Sequence, residues 1–192
     1  MTEPVGVDGG RLRQAVLRAA RATLAGLPPG DYSGYALYSD DGAMTVCCAV
    51  NTAGHLARAQ AADPGDPEYW RWSPAEWAME GIGHEHFAEI CRRLYAASAG
   101  LDGAAFAEFR DMVYETCVAA LETLIAGGEL GGGGSGGGGS GDGGSALGAV
   151  GAVVVFAVSD TDEPERDAAW IRRLNPAAAA DRFARWLGLP TS

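Results

Sequence analysis

The sequence predicts an α+β protein with a small, mostly antiparallel sheet, made of a hairpin and a late central strand and packed by several helices. Two strand-like runs, Tyr35–Tyr38 and Met44–Val50, flank a turn, and a third apolar run, Ala149–Val158, follows much later. The segments around these runs show the apolar spacing of amphipathic helices. With 192 residues and a 47% hydrophobic composition, the chain can bury one core of this kind. We therefore expect a single domain over residues 1–192.

The first elements are a helix and the hairpin. Arg11–Leu27 carries one apolar stripe at helical spacing, and Pro28, Pro29 and Gly30 end it. Ser39–Gly42 is typical of a hairpin turn, with glycine at a position that tolerates positive φ. Neither face of Met44–Val50 is charged. This second strand is therefore predicted to be central.

The segment Tyr69–Trp77 holds three of the five tryptophans and predicts a helix start. Ser73 is a preferred N-cap residue, Pro74 suits the first helical position, and Glu76 completes a capping box. Trp72 and Trp77 have the spacing of a hydrophobic staple. We expect the other helices to pack on this segment.

Six further elements follow from capping and periodicity. A short helix begins after Asn51 or Thr52 and continues to Gln60, and longer helices are predicted at His84–Ser98 and Asp102–Ala126. Ala149–Val158 is nearly continuous Val and Ala, which indicates a strand covered on both faces. The same signals predict the last two helices, one capped by Ser159–Asp162 and reaching Leu174, the other starting at Asn175-Pro176 and ending near Leu187.

The run Gly131–Ser145 contains two copies of Gly-Gly-Gly-Gly-Ser. It offers no side chain that could build a core, so we expect a flexible, linker-like insertion within the domain. The strand after it needs the sheet before it, and we do not treat it as a domain boundary.

The charge of the chain restricts its partners. The formal net charge is −11, which disfavours nucleic acid and anionic membrane surfaces and suits a basic protein. The first ten residues lack the apolar core of a signal peptide, and the apolar run Ala146–Val158 is shorter than the ~20 residues of a membrane span. We expect a cytoplasmic protein whose four cysteines are thiols.

Candidate catalytic residues are few. Cys47 and Cys48 are adjacent in a strand, so their side chains point to opposite faces. His84 and His86 would share a metal only on an extended loop, with His55 as a third ligand. The chain has no lysine for a phosphate-binding loop and no Cys-x-x-Cys pair. No cofactor and no metal is indicated, although a metal-dependent or thiol hydrolase built on these residues or on acidic pairs stays open as the alternative.

A non-catalytic binding module is the favoured interpretation. Tryptophan and tyrosine are enriched among the residues that dominate binding energy, and carboxylates would complement an Arg- or Lys-rich partner. The predicted partner-binding residues are the outward aromatic residues of the tryptophan segment and nearby acids, namely Asp40, Asp41, Tyr69, Trp70 and Glu80.

Several of these blocks also carry a family likeness. The blocks are Ala36–Tyr38 with Asp40–Gly42, Met44–Val46, Asn51-Thr52 with His55-Leu56, Tyr69–Trp77 with Glu80-Gly81, Phe109-Arg110 with Val113, Glu115 and Cys117, Ser159-Asp160 with Asp162-Glu163, Arg173–Pro176, and Arg182-Phe183 with Trp186-Leu187. In this order they resemble the bacterial domain-of-unknown-function family 4303, DUF4303. The resemblance implies a single α+β domain and no established activity, catalytic residue or cofactor. By analogy of size and charge alone, such families are similar to immunity proteins that neutralise toxins.

Overall fold

The central feature of the fold is a four-stranded mixed sheet in the order β3-β2-β1-β4. The structure is a computed structural model that describes residues 7–130, 152–159 and 163–191. In chain order the elements are α1 (Gly9–Ala25), β1 (Tyr32–Ser39), β2 (Cys47–Thr52), α2 (Ala53–Ala62), α3 (Tyr69–Trp72), a 3₁₀ turn (Pro74–Glu76), β3 (Met79–Glu80), α4 (His84–Ser98), α5 (Gly103–Ala126), β4 (Val153–Val158), α6 (Pro164–Leu174) and α7 (Ala177–Trp186). The α+β class is confirmed.

The sheet is not mostly antiparallel, which corrects the expectation from the sequence. β1 pairs antiparallel with β2 and parallel with β4, and β2 pairs antiparallel with β3. The chain returns to the sheet only after α4 and α5, and a parallel neighbour needs a long crossover of this kind. The sheet is therefore mixed.

β4 is also not a central strand. It pairs with β1 and ends the strand order of the described chain. Its outer edge is covered by the Asn175 side chain: Val154 N–H donates to Asn175 Oδ1 at 2.8 Å, and Asn175 Nδ2 donates to the Val154 carbonyl at 2.6 Å. The apolar run shows that both faces of the strand are buried, but it does not show whether the strand lies in the middle or at the edge of the sheet. β2, by contrast, lies between β1 and β3 and is central, as predicted.

Helices cover the sheet on both faces. Tyr35 and Leu37 of β1 face a core built largely by α1, α4 and α5, and Ala36 faces a second core that contains Trp72, Trp77 and residues of α6 and α7. All three β1 side chains are fully buried. Strand alternation thus divides the interior into two layers.

The predicted helices are confirmed within one or two residues at most ends. Asp8 caps α1 by accepting from Arg11 N–H at 2.8 Å, and Thr52 caps α2 by accepting from His55 N–H at 3.2 Å. α4 spans the predicted range His84–Ser98. The predicted cap of α6 falls partly on residues 160–162, outside the described chain, and so does the Gly/Ser run. Among the helices of the described ranges, none has the length and apolar character needed to cross a bilayer.

The tryptophan segment folds differently from its prediction. Ser73 makes no side-chain cap, and only a 3₁₀ turn follows it. The Glu76 carboxylate accepts instead from the Tyr69 hydroxyl at 3.0 Å. Trp72 and Trp77 are buried in the same core layer, as a staple requires. Tertiary contacts of the two indoles, rather than a capping box, fix this segment.

The hairpin loop is wider than predicted because a side chain organises it. Asp40 accepts from the Met44 N–H at 3.1 Å and from the Thr45 hydroxyl, so residues 44–46 lie in the loop and β2 begins at Cys47. The positive φ, 51°, falls on Ala43 and not on Gly42.

Ion pairs join α5 to α6. Arg173 binds Glu122 at 2.9 Å and Glu115 at 2.7 Å, and Glu115 also accepts from Trp170 Nε1 at 2.9 Å. Burial raises the pKa of Glu115, but the hydrogen bonds from Arg173 and Trp170 outweigh it, and the pKa is lowered. Glu115 and Glu122 therefore dock α6 on α5 through half-exposed ion pairs.

Replacing Trp77 by alanine should reduce the free energy of unfolding by about 3–5 kcal/mol, because the indole is buried against the sheet. Its ring lies so close to Gly34 that an added Cβ there would be 2.8 Å from it. Ser73→Ala is the matched control in the same segment, and without a cap to lose it should cost less than ~0.5 kcal/mol. Urea denaturation measures the free energy of unfolding of both variants. A larger loss for Ser73→Ala would show that Ser73 does cap this segment.

Asn175→Ala should cost about 2–3 kcal/mol, because Val154 would lose both partners at a partly buried edge. The control is Ser98→Ala, which removes an exposed hydroxyl bond to the Tyr95 carbonyl. It should cost less than ~0.5 kcal/mol. Equal losses in chemical denaturation would show that Asn175 does not hold the edge.

Candidate functional site

Two aromatic side chains of α3 lie at the surface of the protein. The Asp66 carboxylate accepts from Tyr69 N–H at 3.1 Å and so starts this short helix. Trp72 turns inward, while Tyr69 is 38% exposed and Trp70 is half-buried. The Tyr69 and Trp70 rings pack edge to face, with centroids 5.5 Å apart.

Each partly exposed aromatic side chain here donates to a carboxylate. Tyr69 donates to Glu76 at 3.0 Å, Trp70 Nε1 to Asp63 at 3.4 Å, and Trp186 Nε1, from α7, to Asp66 at 3.0 Å. The hydrogen bond to Glu76 raises the pKa of the Tyr69 hydroxyl. We call these six residues the aromatic–acidic surface: Asp63, Asp66, Tyr69, Trp70, Glu76 and Trp186.

The five residues predicted from the sequence fall into two groups. Tyr69 and Trp70 belong to the aromatic–acidic surface. Asp40 and Asp41 lie in the hairpin loop, where Asp40 is engaged by Met44 and Thr45, and Glu80 accepts from the Tyr38 hydroxyl. The hairpin loop follows the last residue of β1, whereas Trp72, one turn from Tyr69, lines a cavity with Tyr32, the first residue of β1. The two ends of this eight-residue strand are roughly 23 Å apart.

Four members of the surface were missed by sequence reasoning. The sequence places Asp63 and Asp66 in a loop, gives Glu76 a capping role, and places Trp186 near the end of the last predicted helix. The spacing Asp66-x-x-Tyr69 is a capping signal that could have placed Asp66 at the start of α3. No sequence signal links Trp186 to Asp66, because the two residues are 120 positions apart in the chain.

The four cysteines are free thiols. Cys48 and Cys117 are fully buried, and Cys47 and Cys91 are half-buried. Burial raises the pKa of the Cys48 thiol to about 12 and also raises the pKa of Cys47 and Cys117. A raised pKa reduces the thiolate fraction, and the thiolate is the nucleophile.

The histidines lie in separate environments. His55 Nε2 is 3.0 Å from the Glu76 carbonyl, while His84 and His86 flank Glu85 at the exposed start of α4. Within residues 7–130, 152–159 and 163–191, no three His, Cys, Asp or Glu side chains are arranged to hold a metal ion.

We expect the protein to lose stability as pH rises above 9. The unfolded Cys48 thiol ionises near its ordinary pKa of 9.0, whereas the folded thiol ionises only near 12. The unfolded state therefore binds fewer protons between these values, and the free energy of unfolding falls as pH rises through this window. Urea denaturation at pH 8 and pH 10 measures the loss.

Cys48→Ala is the control variant, and its stability should depend less on pH over the same window. A pH dependence unchanged by this substitution would assign the effect to another group.

The comparisons with known proteins give one family. The family described as a domain of unknown function, DUF4303, matches residues 12–133, which is more than half of the chain. The match covers the elements from α1 to α5, and the C-terminal blocks of the likeness lie beyond it. No curated protein and no solved structure matches the chain. The chain belongs to the DUF4303 family.

Proposed function

We propose that this protein is a cytoplasmic, non-catalytic module that binds a basic protein partner, and that its concrete form is a bacterial immunity protein that neutralises a basic toxin. The observation that carries the proposal is the aromatic–acidic surface, where three aromatic side chains and three carboxylates alternate at the exterior. The hairpin acids Asp40 and Asp41 and Glu80 form a second acidic region.

The chemistry of the aromatic–acidic surface suits arginine. A guanidinium stacks on aromatic faces and binds carboxylates through two parallel hydrogen bonds. Asp63 is exposed and accepts from the neutral indole of Trp70, and Asp66 is exposed and accepts from Trp186. A carboxylate has more acceptor sites than one donor fills, so both can accept from a cation as well.

The charge of the whole molecule supports the same partner. A formal net charge of −11 attracts a basic protein over long distances and speeds its encounter. Charge steering of this kind weakens with salt, because ions screen interactions beyond ~10 Å at 0.1 M.

The hydrolase alternative has less support from the site. Burial raises the pKa of the half-buried Cys47 thiol, whereas a nucleophilic cysteine needs a lowered pKa. Stoichiometric metal in the purified protein, or one cysteine that is alkylated unusually fast at neutral pH, would favour this alternative instead.

Affinity capture from the native host, with products of neighbouring genes as candidates, identifies the partner. We expect a basic protein whose affinity falls with rising salt. Trp70→Ala should weaken binding roughly tenfold or more, because a buried aromatic anchor typically dominates an interface. Isothermal calorimetry measures the affinity, and thermal unfolding of the free variant shows that it stays folded.

Tyr95→Ala is the comparison variant, because Tyr95 is an exposed aromatic residue, 68% exposed, on α4 and lines a hollow with Asp40 of the second acidic region. It should weaken binding less than Trp70→Ala does. Stronger weakening by Tyr95→Ala would place the interface at the second acidic region instead of the aromatic–acidic surface. Capture of no protein, together with turnover of a small molecule by the purified chain, would contradict the binding module itself.

A further inference from the structure

A cavity of about 530 Å³ opens where β1 and β4 begin, between α2, α3 and α7. This volume is in the range of small-molecule sites. It is lined by residues from both ends of the chain, including Ser33, Arg71, Ala178 and Arg182. None of these residues belongs to the aromatic–acidic surface.

Of the four buried side-chain atoms without a hydrogen-bond partner in the described chain, two belong to residues that line this cavity. These are the Ser33 hydroxyl oxygen and Arg71 Nε. The Arg71 side chain is only 17% exposed. A buried donor with no partner costs ~1–3 kcal/mol, so native proteins rarely keep one without a reason. Two such groups on one cavity indicate a ligand that would bind both.

The charge of Arg71 is incompletely paired. Glu68 accepts from Arg182 Nε at 2.8 Å and from Trp72 Nε1 at 3.0 Å, and its nearest approach to Arg71 Nε is 3.9 Å. Burial and the nearby charge of Arg182 lower the pKa of Arg71. One carboxylate thus serves two guanidinium groups, and Asp31, the acidic residue of the lining, is exposed to solvent.

The first turn of α7 adds one further donor. Ala178 and Ala179 line the cavity, and no side chain caps this helix. The Ala179 N–H already donates to the Pro176 carbonyl at 2.9 Å. The Ala178 N–H is therefore the lining amide that can bind an anion at this helix start. Leu56, Trp72 and Val153 form an apolar part of the wall. The lining therefore combines donors for an oxyanion with room for an organic body.

We propose that this cavity binds a small molecule through a phosphate group, held by the Ser33 hydroxyl, the Arg71 guanidinium and the Ala178 amide of α7. Such an anion would give hydrogen-bond partners to the Ser33 hydroxyl and to Arg71 Nε at once. The site is separate from the proposed protein interface, and either can fail without the other.

Calorimetric titration with inorganic phosphate at constant ionic strength tests the proposal. The net charge of −11 repels anions, so saturable binding requires a specific site. We expect one saturable site, weakened roughly tenfold by Ser33→Ala and more by Arg71→Gln. Ser33→Ala removes an unpartnered hydroxyl, so its thermal stability should be unchanged or higher, and lost binding would not reflect unfolding.

Arg185→Gln is the charge control, because it removes the same charge from an exposed position on α7. It should bind phosphate as the parent does. The proposal is overturned by the absence of saturable phosphate binding, by equal weakening in Arg185→Gln, or by unchanged affinity in Ser33→Ala and Arg71→Gln. Saturable binding of acetate but not phosphate would also overturn the assignment to a phosphate group.

Discussion

The parallel pairing of β4 with β1 is the constraint on which the rest of the structure depends. β1 has a strand on each side and a core layer on each face, and its central residues Tyr35, Ala36 and Leu37 are fully buried. A parallel neighbour must arrive through a long crossover, which α5 completes. The helices after β4 then close the second face. Both the cavity and the aromatic–acidic surface are built where these late helices meet the early part of the chain.

Polar side chains bind backbone groups and carboxylates at the margins of the two apolar layers. Asn175 supplies one amide to the outer edge of β4, where the described chain has no further strand, and it also donates to the Ile171 carbonyl at 3.1 Å. Arg173 holds Glu115 and Glu122 of α5. Exposed ion pairs contribute little to stability, so their main effect is to fix the orientation of α6. In an acidic chain, many carboxylates are thus already engaged by arginine, and the aromatic–acidic surface differs in that its carboxylates accept from neutral donors.

The sequence was sufficient for elements whose signals are local. The predicted bounds of α4 are correct because its apolar stripe and both of its ends depend on residues that are close together in the sequence. The lateral position of β4 could not be predicted, because an apolar run reports covered faces and not neighbouring strands. The capping box at Ser73 failed because two buried indoles decide the backbone there.

The candidate site was predictable only in part, for the same reason. Tyr69 and Trp70 stand in a recognisable segment, but Trp186 reaches Asp66 from α7, and the cavity joins Ser33 to Arg71 and Ala178. Contacts between such distant positions have no local signature.

The hydrogen bond between Ser159 N–H and the Ser39 carbonyl, at 2.9 Å, has a consequence for biosynthesis. The two residues are 120 positions apart, so a ribosome completes β1 long before its parallel neighbour emerges. During that interval one edge of β1 has unsatisfied backbone groups, and such edges template aggregation. A contact of such high sequence separation also slows folding, because loop closure must precede the contacts that stabilise it. We therefore expect the nascent chain to carry an exposed strand edge until β4 emerges and pairs with β1.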